Sequence, residues 1–188
     1  MRSHVLITLI AVVVLAQSCC CCTLLGGPQP PYAITPSDEA IQRLRERWRT
    51  VVDASTDDTF TITVTEEEMT SLLANKLAEQ KESPVSQPQV HFRNGRIEIY
   101  ATVTVAESLA LPGLAAFSAT AAGGEISVTL EEIALGPLPV PEPVLEALTE
   151  LLNESISRSI MAEIDENLVT DIQIEEGEMT ISGQLKSD

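Results

Sequence analysis

Covalent lipid attachment at a run of four cysteines is the chemistry that this sequence indicates most clearly. Ala16 and Ser18 are small residues at the third and first positions before Cys19, which is the spacing of a bacterial lipobox. The thiol of a lipobox cysteine accepts the lipid, so the motif predicts Cys19 as the lipidation site. Residues 20–22 each follow another cysteine and lack this spacing. Adjacent cysteines also cannot cross-link a fold or supply the two spaced pairs of a zinc site.

Catalytic chemistry is not indicated by the other residues. Beyond the N-terminal region His91 is the only histidine, and it falls at a polar strand position beside a predicted turn. We expect an exposed side chain there, with no Ser or Cys motif to make it a catalytic base. Acidic runs at residues 57–58, 66–68 and 175–178 lack the alternating oxygen ligands of a calcium loop, and we expect solvated acidic faces. The sequence predicts no enzyme, no metal site and no cofactor.

The charge balance excludes nucleic acid as a partner. The chain has 28 acidic and 11 basic residues, for a net charge of -17. Phosphate binding requires a clustered positive face, and adhesion to anionic lipid requires basic residues in the same way. Aromatic residues make up only 3% of the chain, which leaves few rings for stacking on bases or sugars.

The N-terminal region predicts export from the cytoplasm. Residues 5–16 form an apolar run behind Arg2, with the length of a signal-peptide core. Cleavage before Cys19 makes residues 1–18 the signal peptide. Residues 19–35 then form a lipidated, proline-rich spacer.

A single uncleaved membrane helix is the alternative anchor. Residues 5–25 are uncharged and long enough to cross a bilayer. Both interpretations tether the chain to the cell membrane. They leave residues 36–188 as one domain on the extracytoplasmic side.

Local patterns predict the first elements of that domain. A helix with apolar residues three and four apart begins near Ser37. It carries the basic residues Arg43, Arg45, Arg47 and Arg49, which we expect on a solvated face. Residues 59–65, TFTITVT, alternate as a strand. Thr65 and Glu68 have the spacing of a capping box at the start of a second helix.

A hairpin and a bulge are predicted next. Asn94 followed by Gly95 is a strong signal for a two-residue hairpin turn. Apolar and polar residues alternate on both sides of it and again from Ile126 onward. The pair Glu131 and Glu132 breaks that alternation, which predicts a β-bulge. The alanine-rich residues 114–124 are interpreted as a loop or as the small-residue lining of a groove.

The C-terminal half predicts a long helix. From Val144 the apolar residues recur with the period of a helix, which we place over residues 142–164. Strands over residues 171–174 and 178–185 close the chain. The fold class predicted is α+β: a long, twisted, mostly antiparallel sheet packed around the long helix, with one or two N-terminal helices.

Three segments carry a resemblance to a known family. They are V-T-E-E-E-M at residues 64–69, the long hairpin, and L-G-P-L-P-V-P-E-P-V-L at residues 135–145. Over residues 63–185 the chain resembles the YpmS-like family of membrane-anchored extracytoplasmic proteins. It is more remotely similar to the tubular lipid-binding (TULIP-like) proteins. That resemblance implies an apolar groove for lipid acyl chains and no fixed binding motif.

Two non-enzymatic functions are consistent with these features. The first is binding or shuttling of a lipid or fatty acid in a groove between the sheet and the long helix. The alternative is a tethered structural or protein-interaction module with a filled core and no ligand; its protein partner is not identified. An interior void favours the first function, and packing at native density favours the second. The groove-lining candidates are Ile99, Ala101, Val103, Leu145, Leu148, Leu152 and Ile156.

Lipidation at Cys19 is testable by metabolic labelling with a clickable fatty acid such as palmitate. Cys19→Ser should abolish labelling if Cys19 is the acceptor, because serine lacks the thiol. A retained membrane helix leaves the Cys19→Ser chain in the membrane fraction. Labelling that does not change with the Cys19→Ser substitution would exclude the lipobox interpretation.

Overall fold

The computed structural model describes residues 26–54, 58–80, 83–106, 109–122, 125–139 and 168–185. In chain order the elements are α1 (Asp38–Ala54), β1 (Thr59–Thr65), α2 (Glu66–Glu79), β2 (Val85–Arg93), β3 (Arg96–Ala106), β4 (Leu109–Ala122), β5 (Glu125–Leu135), β6 (Leu138–Pro139), β7 (Leu168–Ile174) and β8 (Glu178–Gln184). No helix among the described residues is long and apolar enough to cross a membrane. Residues 1–25, which contain Cys19 and both predicted anchors, lie outside the described residues.

The described strands form two antiparallel sheets. One is a five-stranded meander in the order β2-β3-β4-β5-β6, and the other is three-stranded in the order β1-β8-β7. Strand β1 pairs with the end of the chain along its whole length, from Thr59 opposite Gln184 to Thr65 opposite Glu178. The three-stranded sheet therefore joins residues near the start of the domain to residues near the end of the chain.

Local turn signals are confirmed. The β2–β3 hairpin turns at Asn94 and Gly95, whose φ angles of 52° and 75° are both positive, as a type I′ turn requires. Strand β5 has one extra residue, Glu131, between the residues that pair with Ala116 and Phe117. This is the predicted bulge. The strand at residues 59–65 and the closing hairpin are also present.

Alternation of side chains places the core between the sheets. Phe60, Ile62 and Val64 of β1 are buried, while the threonines between them lie on the outer face. There the hydroxyls of Thr63 and Thr180 are 3.1 Å apart and hydrogen-bonded. The apolar faces of the two sheets pack against each other, as in a sandwich.

Residues from both sheets meet in this core. Val90 and Phe92 of β2 are fully buried and pack with Met179 of β8. Helix α1 packs at the β1 side, where the ring of Trp48 lies edge-on to Phe60 with centroids 5.2 Å apart. Aromatic pairs in this geometry add to the stability gained by burial.

Helix α2 begins at the predicted capping box. The Thr65 hydroxyl accepts a hydrogen bond from the Glu68 backbone N–H at 3.3 Å, and the Glu68 carboxylate accepts one from the Thr65 N–H at 3.0 Å. The backbone N–H groups of Thr65 and Glu68 are donors that the start of a helix otherwise leaves unpaired.

The same helix closes the edge of β2. The Thr70 hydroxyl accepts a hydrogen bond from the Val90 N–H at 2.9 Å, and the Glu66 carboxylate accepts one from the Phe92 N–H at 2.8 Å. Side chains of α2 thus replace the neighbouring strand that an edge strand lacks.

The predicted fold class is wrong. The described residues are mostly strand, in two antiparallel sheets with two short helices, and they contain no long helix around which one sheet could wrap. Residues 142–164, where the long helix was predicted, lie outside the described residues. The physical reason is the long-range pairing of β1 with β8, because periodicity along the chain carries no information about which strands share a sheet.

The interpretation of residues 114–124 as a loop is also wrong for the part that is described. Residues 114–122 belong to β4, which pairs with β3 on one side and β5 on the other. Alanine has a low intrinsic preference for strands, but pairing along both edges outweighs that preference.

The acidic run at residues 66–68 is not a solvated face. Glu68 is 1% exposed and receives two hydrogen bonds from the Arg47 guanidinium, at 2.7 and 3.1 Å. Arg47 also donates to the Thr63 carbonyl at 2.6 Å. Burial raises the pKa of Glu68, but the hydrogen bonds from Arg47 and Thr65 and the charge of Arg47 outweigh it, so this pKa is lowered.

Loss of Arg47 should destabilise the fold far more than loss of a neighbouring arginine. Arg47→Met leaves the buried Glu68 carboxylate short of donors, which should cost about 1–3 kcal/mol in urea unfolding at neutral pH. The matched control is Arg43→Met, which breaks a half-exposed pair with Glu67 and should cost less than about 1 kcal/mol.

The difference in unfolding free energy between Arg47→Met and Arg43→Met should also depend on pH. Because the pKa of folded Glu68 is lowered below 4.5, its stabilising contribution is present above pH 4.5 and is lost as the pH falls through the folded value. Equal losses for the two arginine variants at neutral pH would contradict this role of Arg47.

Candidate functional site

An apolar cavity of about 420 Å³ lies between the two sheets. Strands β2 to β5 form one wall, β7 and β8 form the facing wall, and α2 contributes at one side. The lining residues are Met69, Leu73, Val90, Ile97, Ile99, Phe117, Ala119, Ile126, Val128, Val169, Ile172, Met179 and Ile181. All of these side chains are apolar.

Strand register explains the uniform lining. Ile97 lies opposite Phe117 and Ala119 lies opposite Val128, so these side chains share the inner face of the five-stranded sheet. Ala119 places a methyl group where the neighbouring positions carry larger side chains. This small residue in the middle of the face leaves part of the volume unfilled.

The cavity suits hydrocarbon and excludes charge. Its volume falls within the range of about 300–1,000 Å³ that is usual for ligand pockets. It is well above the roughly 150 Å³ at which an engineered apolar cavity already binds benzene. A carboxylate or phosphate placed against this lining would lose its water without gaining a hydrogen bond, at a large cost in free energy. Only the apolar part of a ligand therefore fits.

The predicted groove residues do not all come together. Ile99 lines the cavity. Ala101 borders a different cavity, and Val103 packs against Gly113, where an added Cβ would lie 3.1 Å from a Val103 methyl. Leu145, Leu148, Leu152 and Ile156 lie outside the described residues.

The sequence interpretation missed the rest of the lining. Residues of β4, β7 and β8 reach the cavity through sheet pairing and sheet packing. The alternation of Ile126 with Val128 was the available signal for β5. Ile172 and Ile181 reach the site because the three-stranded sheet packs across from the five-stranded sheet. The sequence does not specify that packing.

A second cavity, of about 650 Å³, lies beneath the N-terminal segment of the described chain. Its lining includes Pro28, Pro30, Pro36, Pro88 and Pro112, together with uncharged polar side chains of β2 and β3. The proline-rich segment itself packs along the domain. The Ile34 N–H donates to the Gln89 side chain at 2.6 Å, and the Gln89 amide donates back to the Ile34 carbonyl at 2.9 Å.

His91 occupies a buried polar cluster on the outer face of β2. Its ring is fully buried between the rings of Tyr32 and Tyr100, with centroid distances of 4.7 and 5.6 Å. Neither ring nitrogen has a hydrogen-bond partner among the described residues, and Nδ1 lies 3.6 Å from the Glu66 carboxylate. The Tyr32 hydroxyl donates to that same carboxylate. The expectation of an exposed histidine is therefore wrong.

The electrostatics of this cluster follow from burial. Burial lowers the pKa of His91, against the attraction of the Glu66 charge. Burial and the hydrogen bond to Glu98 raise the pKa of Tyr100 to about 12. The hydrogen bond to Glu66 raises the pKa of Tyr32. The lowered pKa keeps His91 uncharged at neutral pH, where both tyrosines are also uncharged.

The cluster has a structural role in this arrangement. The ring of Tyr32 packs against the imidazole, and the His91 side chain has no exposed surface in the described part of the chain. Among the described residues, no group of three or more His, Cys, Asp or Glu side chains is placed to hold a metal ion. The apolar cavity is therefore the better candidate for the functional site.

Comparison with known proteins finds no matching family model, no matching curated protein and no matching solved structure. The resemblance to YpmS-like and tubular lipid-binding proteins stays a prediction.

Replacing His91 by Phe should reduce the loss of stability on acidification. The pKa of folded His91 is lowered from 6.5, so below pH 6.5 the unfolded chain takes up a proton that the folded chain does not. Stability from this source falls as the pH drops from 6.5 toward the folded value. Urea unfolding of the full chain above and below pH 6.5 measures the effect.

Tyr100→Phe is the matched control, because it changes the same cluster and retains the imidazole. We expect it to keep the pH dependence of the unmodified chain. An equally steep acid loss in His91→Phe would mean that His91 is not the group responsible.

Proposed function

We propose that this chain is a membrane-tethered extracytoplasmic protein that binds the acyl chain of a lipid in the cavity between its two sheets. It carries out no chemistry on the lipid. The observation that carries this proposal is the continuous apolar lining of a cavity of about 420 Å³.

Burial of an acyl chain offsets much of the cost of association. Burying a methylene group contributes about 0.8 kcal/mol, so ten methylenes contribute about 8 kcal/mol. That is of the same order as the about 4–15 kcal/mol that association costs in lost freedom of motion. The cavity supplies no polar partner, so affinity depends on the length of the buried chain, and the headgroup remains outside.

The tether supports the same function. A domain held at a membrane by residues 5–25, or by a lipid on Cys19, meets its ligand at the high local concentration of a bilayer. Modest affinity is then sufficient for exchange between the bilayer and the cavity. The shuttling form of the proposal requires only that the acyl chain can leave again.

Photocrosslinking in cells tests the proposal on the full chain. Cells fed a fatty acid with a diazirine and a clickable tag should yield crosslinks that mass spectrometry maps to the inner faces of β3 and β4. Ala119→Trp fills the cavity with an indole and should abolish those crosslinks. Mapping by peptide separates them from acylation near Cys19.

The matched control is Thr120→Trp. Thr120 is the next residue of the same strand and is exposed on the opposite face, so the indole leaves the cavity open. We expect Thr120→Trp to crosslink like the unmodified chain. Crosslinks that persist in Ala119→Trp, or that are absent from all three proteins, would favour the alternative, an interaction module whose core is filled by protein.

A further inference from the structure

Residues 27–36 pack along the domain and form neither helix nor strand. We call them the N-terminal strap. An added Cβ at Gly27 would lie 2.5 Å from the nearest side-chain atom of β4, so this end of the strap fits closely. Near the other end, Ile34 exchanges two backbone hydrogen bonds with the Gln89 side chain. Tyr32 lies between these two points of attachment.

Tyr32 is the movable cover of His91. The buried imidazole packs against the rings of both Tyr32 and Tyr100. Tyr100 is fixed, because β3 pairs with β2 on one side and with β4 on the other. Tyr32 has no strand pairing and is itself 48% exposed, so its displacement removes little apolar surface from the core. Water therefore reaches the imidazole most easily by displacement of the strap.

Three charged groups act on the imidazole of His91. A carboxylate oxygen of Glu66, in α2, lies 3.6 Å from Nδ1. Arg93 of β2 and Glu98 of β3 also act on the ring electrostatically, and Glu98 already accepts a hydrogen bond from the Tyr100 hydroxyl at 3.0 Å. Burial outweighs the attraction of the two carboxylates, so the pKa of His91 is lowered and the ring is neutral while the strap is in place.

A proton on His91 would compete with Tyr32 for one oxygen atom. The Tyr32 hydroxyl donates to Oε2 of Glu66, which is the same oxygen that faces Nδ1. The other oxygen, Oε1, accepts a hydrogen bond from the Phe92 N–H at 2.8 Å. An imidazolium carries a hydrogen on both ring nitrogens, and neither nitrogen has a hydrogen-bond partner among the described residues. Water supplies an acceptor for Nε2 once the cover is displaced.

We propose that Tyr32 and His91 form an acid-sensitive latch, which holds the N-terminal strap on the domain at neutral pH and releases it when the imidazole is protonated. Release does not require the domain to unfold, because the strap contributes no strand to either sheet.

Release of the strap has two consequences. It frees residues 27–36, which span at most about 36 Å when extended, and so lengthens the connection to the residues that precede them. The gain in reach rests on the tether of the proposed function, whereas the latch itself does not. Release also uncovers the second cavity, because Pro28, Pro30 and Pro36 of the strap contribute to its lining.

Hydrogen exchange of the full chain in dodecylmaltoside micelles tests the latch. Exchange at pH 7.5 and pH 5.5 is compared after correction for the intrinsic rate at each pH. Mass spectrometry follows a peptide that covers the strap and a reference peptide from β4. With a pKa of about 6.5 in the open form, protonation should make release about three- to tenfold more favourable at pH 5.5. We expect protection of the strap to fall by that factor while the reference stays protected.

Three variants assign the effect to the latch. His91→Phe removes the titrating group and keeps a ring, so strap protection should be equal at the two pH values. Tyr32→Ala removes the cover from its half-exposed side and should leave the strap unprotected at both pH values in a folded domain. Tyr100→Phe is the matched control, because it retains the imidazole, and it should release the strap in acid as the unmodified chain does.

Equal strap protection at pH 7.5 and pH 5.5 in the unmodified chain would overturn the proposal. An equal acid effect in His91→Phe would do the same, as would a parallel loss of protection in the reference peptide, which reports global unfolding. Lipid binding in the apolar cavity does not enter the measurement, so the latch and the proposed function can fail separately.

Discussion

The two sheets are joined at one end by a short chain of hydrogen bonds around Glu66. The Glu66 N–H donates to the Gly177 carbonyl at 3.3 Å, and the Gly177 N–H donates to the Phe92 carbonyl at 3.0 Å. The Glu66 carboxylate accepts a hydrogen bond from the Phe92 N–H. Strand β2 is thereby bonded to α2 and to the β7–β8 hairpin at once. Gly177 adopts a φ of 85°, a conformation that other residues rarely reach, so the hairpin turn depends on this glycine.

This junction sets the width of the space between the sheets, and the side chains then leave it partly unfilled. Hydrocarbon that enters the cavity would gain dispersion contacts with its apolar lining, which links ligand binding to the stability of the sandwich.

The features that could be predicted from the sequence are those that neighbouring residues determine. Thr65 with Glu68 specifies a helix start, and Asn94 with Gly95 specifies a turn, because each pair forms its contacts within a few residues. The burial of His91 could not be predicted, since Tyr32, which covers it, is distant in the sequence. Ile99 was found as a site residue because its strand alternates regularly. The facing wall of β7 and β8 was missed because sheet packing is a long-range property.

The N-terminal segment is bound to the sheet from Gly27 onward. The Ile34–Gln89 hydrogen bonds and the close contact of Gly27 hold residues 27–34 against the domain. From a lipid on Cys19 to Gly26 an extended chain spans at most about 25 Å. In the proposed function, a lipid on Cys19 would therefore hold Gly26 within about 25 Å of the bilayer. The cavity lining is apolar throughout the described residues, so an acyl chain that leaves the bilayer would be stabilised there in proportion to the length that becomes buried.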